Sequence, residues 1–126
     1  MLIMNTHSTN ASKPATPSPL SIVIHDYDHV ALAHCLETIF GQHQIKDLEV
    51  IICDNATSDG SWEIANEWME KHPDRITLNR NQLPMSAVGN ADKSIQMAGG
   101  KYYVELTRDR KFDAAYIQSV IPKLEA

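Results

Sequence analysis

Between Leu20 and Leu124 one pattern occurs four times: a short apolar run rich in β-branched residues, a polar turn, and a segment with apolar residues at helical spacing. The runs are "LSIVIH", "LEVIIC", "RITLNR" and "KYYVELT". In "HVALAHCLETIFGQ", after the first run, Val30, Ala33, Leu36, Ile39 and Phe40 can share one helix face, and Gly41 fits its end. In "WEIANEWMEKH", after the second, Trp62, Ile64, Ala65, Trp68 and Met69 stand at helical spacing, and Ser86 to Ala98 and Ala114 to Leu124 complete the series. Strands joined through helices run parallel, and a parallel sheet has both faces covered. The expected fold is therefore α/β, a three-layer α/β/α sandwich with a mostly parallel sheet.

In open sheets of this kind ligands lie beyond the carboxyl ends of the strands, near the topological switch point. That directs attention to His25 to Asp28, Asp54 to Ser61, Asn81 to Asn90 and Thr107 to Arg110. No Gly-x-Gly-x-x-Gly follows the first run and no Gly-x-x-x-x-Gly-Lys occurs anywhere, which disfavours the dinucleotide fingerprint and the P-loop. The richest of the four turns is "CDNATSDGS", Cys53 to Ser61. Asp54 and Asn55 can offer a carboxylate and an amide to the hydrogen-bonding edge of a heterocycle, Ser58 or Asp59 can cap the next helix, and Gly60 relieves the turn. An ordinary turn and cap explains Asp59, Gly60 and Ser61 equally well. The run "HDYDH" holds metal-competent residues, yet neighbours on a strand face opposite sides and converge on one ion only if the backbone is irregular.

Composition narrows the class. At 126 residues, with 43% hydrophobic and 21% charged residues, the chain suits one globular domain. No apolar run nears the roughly 20 residues that span a bilayer, so no membrane span is expected. A net charge of −5 argues against a nucleic-acid partner. Cys35 and Cys53 fall in expected core elements and read as reduced thiols, which points to the cytoplasm. The polar, proline-rich "NTHSTNASKPATPSP" runs from Asn5 to Pro19, and residues 1–18 are expected to be a disordered leader before a domain over 19–126.

"SIVIHDYDH", "EVIICDNATSDGS" and "GGKYYVELTRD" occur in the order and spacing seen in the nucleotide-sugar-binding half of family-2 glycosyltransferases, and the chain resembles that family over about residues 19 to 124. The resemblance implies the GT-A fold, here truncated, and a nucleoside-diphosphate sugar as ligand. It puts His25, Tyr27, Asp54, Asn55, Asn90 and Asp109 at the nucleotide, with Tyr27 against the base and Asp54 and Asn55 reading its edge. The family's Asp-x-Asp falls on Thr107, Arg108 and Asp109, so a hydroxyl replaces the first carboxylate. Asp109 alone remains to hold a Mg or Mn ion, and Arg108 and Arg110 flank it as candidates for the diphosphate. Gly89 stands where the family has Arg beside Asn90. The family's acceptor region lies beyond the Asp-x-Asp strand and supplies the general base, so no base is assigned here, and another domain or chain is expected to bring the acceptor. A non-catalytic binding or interaction module that retains the fold is the alternative.

Overall fold

The computed structural model describes residues 3–5, 20–41, 48–108 and 112–125. Its elements in chain order are β1 (Ile3–Asn5), β2 (Leu20–Asp26), α1 (His29–Phe40), β3 (Leu48–Asp54), α2 (Ser61–Lys71), β4 (Ile76–Arg80), α3 (Ala87–Gln96), β5 (Tyr102–Thr107) and α4 (Ala114–Glu125). The four β–α units expected from the sequence are all present. The sheet order is β1-β5-β2-β3-β4, with β2, β3, β4 and β5 mutually parallel.

β1 departs from expectation. Ile3–Asn5 lies inside the segment read as a disordered leader, yet it pairs antiparallel to β5, Ile3 opposite Val104 and Asn5 opposite Tyr102. Without it β5 would expose a row of unpaired backbone groups, and covering them is what an added edge strand does. Residues 6–19 lie outside the described residues.

The sheet separates two unequal cores. Leu20, Ile22 and Ile24 of β2, Leu48, Val50 and Ile52 of β3, and Val104 and Leu106 of β5 alternate onto one face, where they meet Leu32, Leu36, Ile39, Ala65 and Ile117 of α1, α2 and α4. The other face carries Val23, Ile51 and Cys53 against Ile95, Met97 and Ala98 at and after the end of α3. Helices thus cover both faces, as the three-layer expectation required. Each fully buried Leu or Ile contributes about 1.5–3 kcal/mol relative to exposure. Val30 does not join the stripe; it is 64% exposed. The face of α1 that meets the sheet is set by Leu32, Leu36 and Ile39, and Val30 sits two residues, roughly 200°, away from Leu32.

Where the chain enters β5 it crosses the start of β2 at close range. The Gly100 N–H donates to Ser21 Oγ at 2.8 Å, Ser21 Oγ donates to Glu49 Oε2 at 2.8 Å, and the same carboxylate oxygen accepts from the Gly99 N–H at 2.8 Å. A Cβ on residue 100 would stand 2.8 Å from Ser21 Oγ and 3.0 Å from the backbone of Leu20 and Ser21. Gly100→Ala will therefore destabilise the fold by about 1–3 kcal/mol, read as a lowered midpoint in urea with unchanged slope.

On the outer side of α1 and α2, Phe40 stacks on the His72 ring at 4.0 Å and on Trp68 at 5.8 Å, while Lys71 and Arg75 lie over Trp68 and Phe40. Burial, then Arg75 and Lys71, lower the His72 pKa below the ordinary 6.5. The unfolded chain therefore binds the proton more readily. Stability from this stack is complete above pH 6.5 and is lost as pH falls below it toward the lower folded value. His72→Phe, which keeps a stacking ring, will flatten that part of the Tm-against-pH curve.

Candidate functional site

β2, β3 and β4 step in one direction across the sheet, and the connection through α3 then returns to place β5 on the far side of β2. The strand order reverses at β2, and the crevice this opens lies at the carboxyl ends of the strands. A cavity of about 310 Å³ occupies it, lined by His25, Asp26, Tyr27, Asn55, Thr57, Ala87, Asn90, Thr107 and Arg108. Five residues singled out from the sequence, His25, Tyr27, Asn55, Asn90 and Arg108, line one space. Asp54 lies beneath it. Asp109 and Arg110 lie outside the described residues.

Local geometry assigns each side chain its work. A bulge between Ile24 and Asp26 makes the end of β2 irregular, as a metal reading of "HDYDH" would need, but the side chains go separate ways. His25 Nε2 meets Glu105 Oε2 at 3.2 Å, Asp28 accepts from the Ala31 N–H at 2.8 Å as the N-cap of α1, and the His29 ring lies 3.4 Å from Asp59. Asp59 ties two turns together, accepting from the His29 N–H at 2.9 Å and from the Ser61 hydroxyl at 2.6 Å. The Ser61 hydroxyl first, then the Ser61 and His29 N–H groups, hold its carboxyl down to about 2. It thereby satisfies the first N–H of α2, since the cap residue Gly60, in the left-handed region at φ 96°, has no side chain to do so.

Asp54 has no exposure to solvent. Its carboxylate accepts from the Thr57 N–H at 3.0 Å, the Thr57 hydroxyl at 2.5 Å and the Tyr27 hydroxyl at 3.4 Å, and Arg80 Nε lies 3.4 Å away. Four contacts match the four acceptor positions of a carboxylate. Arg80 also donates to the Thr57 carbonyl at 3.0 Å and lies over the Trp62 ring. This clamp closes the turn over Ala56, which adopts the left-handed conformation at φ 58°, a cost of roughly 1–2 kcal/mol for a residue with a Cβ.

Tyr27 is 8% exposed and its ring belongs to the larger core. Burial first, then the charge of Asp54, raise its pKa well above 10, so it remains a neutral phenol. Asn55 is engaged as well: its Nδ2 donates to the Met85 carbonyl at 2.9 Å and its Oδ1 accepts from the Met85 N–H at 2.7 Å. Away from the site, burial pushes the Cys35 thiol up to about 12, which leaves it protonated and non-nucleophilic at neutral pH.

At the rim, the Arg108 N–H donates to the Asp26 carbonyl at 2.7 Å, and its half-exposed guanidinium lies 3.4 Å from the Asp26 carboxylate. Thr107 pairs with Asp26 in register. Among the described residues no group of three or more His, Cys, Asp or Glu side chains comes together; Asp109, the residue expected to hold a cation, lies outside them. Sequence reading placed Asn81 and Thr57 within the turns after the strands but gave them no role, and it left out Arg80. Asn81 directly follows β4, and that position was the available signal.

This open, mostly parallel α/β domain, with a polar cavity at its switch point, has the GT-A class of fold, as its superposition on a mannosyltransferase shows. The chain belongs to glycosyl transferase family 2, whose profile matches residues 21–126. Among curated proteins it is similar to the UDP-Glc:alpha-D-GlcNAc-diphosphoundecaprenol beta-1,3-glucosyltransferase WfaP of Escherichia coli, 26% identical over 102 residues, 76% of this chain and 39% of that protein. It is also similar to EpsE of Bacillus subtilis (strain 168), named as a glycosyltransferase, 32% identical over 71 residues, 56% of this chain and 25% of that protein. Among solved structures, the mannosyltransferase PcManGT from Pyrobaculum calidifontis, in complex with GDP-Man and Mn2+, superposes with a TM-score of 0.70 and 24% identity over 92% of this chain and 36% of that one. The chain thus spans well under half the length of these relatives. No described helix is long and apolar enough to cross a membrane.

The clamp at Asp54 supplies its own test. Asp54→Ala strands the Thr57 N–H and the Tyr27 hydroxyl and leaves Arg80 without its carboxylate, at a cost of about 2–4 kcal/mol, which chemical denaturation will register.

Proposed function

We propose that this chain is the donor-binding part of a glycosyltransferase and holds a nucleoside-diphosphate sugar in the switch-point cavity. The observation that carries the reading is the convergence of His25, Tyr27, Asn55, Asn90 and Arg108 on one space at the carboxyl ends of β2, β3 and β5. At about 310 Å³ the cavity lies within the range of small-molecule sites. The fold likeness to a mannosyltransferase holding GDP-Man and the family membership support it. In this reading the base lies near Tyr27 and Asn55, and the diphosphate faces Thr107 and Arg108, with Asp109 and Arg110 beyond.

Transfer of the sugar leaves negative charge on the departing diphosphate. A guanidinium stabilises that charge through paired N–H donors, which is the part Arg108 plays. A Mg or Mn ion would rest on Asp109 and would help neutralise the departing diphosphate. The acceptor and the general base come from a further region or another chain. Reduced thiols at Cys35 and Cys53 fit action in the cytoplasm. Saturation of Asp54 by partners within the protein favours one second reading, a binding module without turnover.

Titration with UDP, GDP and dTDP sugars, with and without manganese, followed by calorimetry and NMR, tests the reading. At least one nucleotide will shift resonances of His25, Asn55 and Asn90 at millimolar concentration or below, and Arg108→Ala will weaken diphosphate binding about tenfold, about 1.4 kcal/mol, and reduce its salt dependence. Absence of any shift at those residues with all three nucleotides defeats the proposal.

A further inference from the structure

Asn81 sits at the junction of an amide chain that crosses the carboxyl ends of three strands. Its Nδ2 donates to Asn55 Oδ1 at 2.9 Å and to Asn90 Oδ1 at 2.8 Å, and its Oδ1 accepts from Lys93 Nζ at 3.0 Å and Asn79 Nδ2 at 3.1 Å. Asn81 is 4% and Asn90 2% exposed.

Oxygen and nitrogen of an amide side chain are told apart only by their partners, and here the backbone decides. The Met85 N–H can only donate, so Asn55 must turn Oδ1 toward it; the His25 carbonyl can only accept, so Asn90 must turn Nδ2 toward it, at 3.0 Å. Both remaining acceptor positions then face Asn81, which must answer with its NH2. The Lys93 ammonium, a donor without acceptor capacity, holds the Asn81 oxygen on the other side. Every amide in the chain has one permitted orientation. As a result Asn55 and Asn90, which line the cavity, each have a second N–H that is unspent among the described residues, while both acceptor positions of the Asn55 oxygen and one of the two on the Asn90 oxygen are taken.

We propose that Asn81 is a positioning residue for ligand binding: it fixes the orientation of Asn55 and Asn90 so that both present N–H donors to the cavity, selecting ligand faces rich in acceptors such as a base carbonyl or a phosphate oxygen. The ligand clause rests on the donor-binding reading above; the orientation itself does not. Asn55 in turn holds the Met85 backbone and with it the entry to α3, so loss of the junction loosens the wall between β4 and α3.

Asn81→Asp separates positioning from support of the fold. The carboxylate still accepts from Lys93 and Asn79, and gains an ion pair, but cannot donate to Asn55 or Asn90. If Asn55 turned over to offer its Nδ2, that nitrogen would confront the Met85 N–H and its oxygen the Met85 carbonyl. The expected result in the 126-residue chain is a folded protein with a modestly lowered Tm, since two buried donor bonds are lost and only the Lys93 pair is gained, together with displaced side-chain amide resonances of Asn55 and Asn90 and faster hydrogen exchange at the Met85 N–H. Affinity for UDP or GDP will fall tenfold or more, and the loss will persist at roughly 0.5 M salt, where repulsion between exposed charges is screened. Asn81→Ala, which adds no charge, will show the same loss. Unchanged Asn55, Asn90 and Met85 signals in Asn81→Asp overturn the proposal, as does wild-type affinity in both variants. If the wild-type chain binds none of UDP, GDP and dTDP, the donor-binding reading falls, and the Met85 exchange and side-chain resonances still decide whether Asn81 sets the amides.

Discussion

A carboxylate with no exposure to water must find its partners inside the protein, and Asp54 finds them in three elements at once. Thr57 supplies two donors from its own turn, Tyr27 a hydroxyl from beyond β2, and Arg80 a guanidinium from the end of β4. The carboxyl ends of β2, β3 and β4 are therefore tied to one point. The left-handed backbone of Ala56 is tolerated because these bonds over-determine the turn around it. The cavity inherits its shape from this clamp, since Tyr27, Asn55 and Thr57 all border it.

Two polar systems share the region without sharing atoms. Asp54, Arg80 and Thr57 form an ionic clamp on the side of α2, while Asn55, Asn81 and Asn90 form a neutral amide chain on the side of α3. The division suits the two cores. The face under α1, α2 and α4 is broad and apolar and carries most of the packing, whereas the α3 face is small and relies on hydrogen bonds for its definition. Neutral amides impose direction without the desolvation cost of a buried charge, so they are suited to orienting groups that face a ligand.

The glycosyltransferase features and the departures from them sit at opposite edges of the cavity. The strand and turn ending at Asn55 keep the sequence pattern that resembles the family. At the end of β5, a threonine stands in the first carboxylate position and an arginine follows it, facing Asp26 across the rim. Charge at that edge is thus cationic and anionic in adjacent side chains rather than uniformly acidic.

The succession of elements was legible in the chain because a strand and an amphipathic helix each write their own period into local sequence: "LEVIIC" and the Trp62 helix identify themselves without knowledge of their neighbours. The switch-point location followed from that succession, and with it the shared position of His25, Tyr27, Asn55, Asn90 and Arg108. What side chains do at that location depends on partners 9 to 80 residues away, and local sequence carries no trace of such partners. Tyr27, expected against a base, has its ring in the core because Asp54 draws its hydroxyl inward. Asn55, expected to read a base edge, spends most of its hydrogen bonds on Met85 and Asn81. Val30 left the core stripe because the sheet, and not the helix alone, chose which face of α1 to bury. β1 was hidden in a polar leader because three residues carry too short a pattern to announce a strand, and only the open edge of β5 gives them a reason to form one. Sequence by itself determined the order and kind of the elements, whose causes are local; tertiary structure alone decided the orientation of the polar groups, because a hydrogen bond is settled by both of its ends.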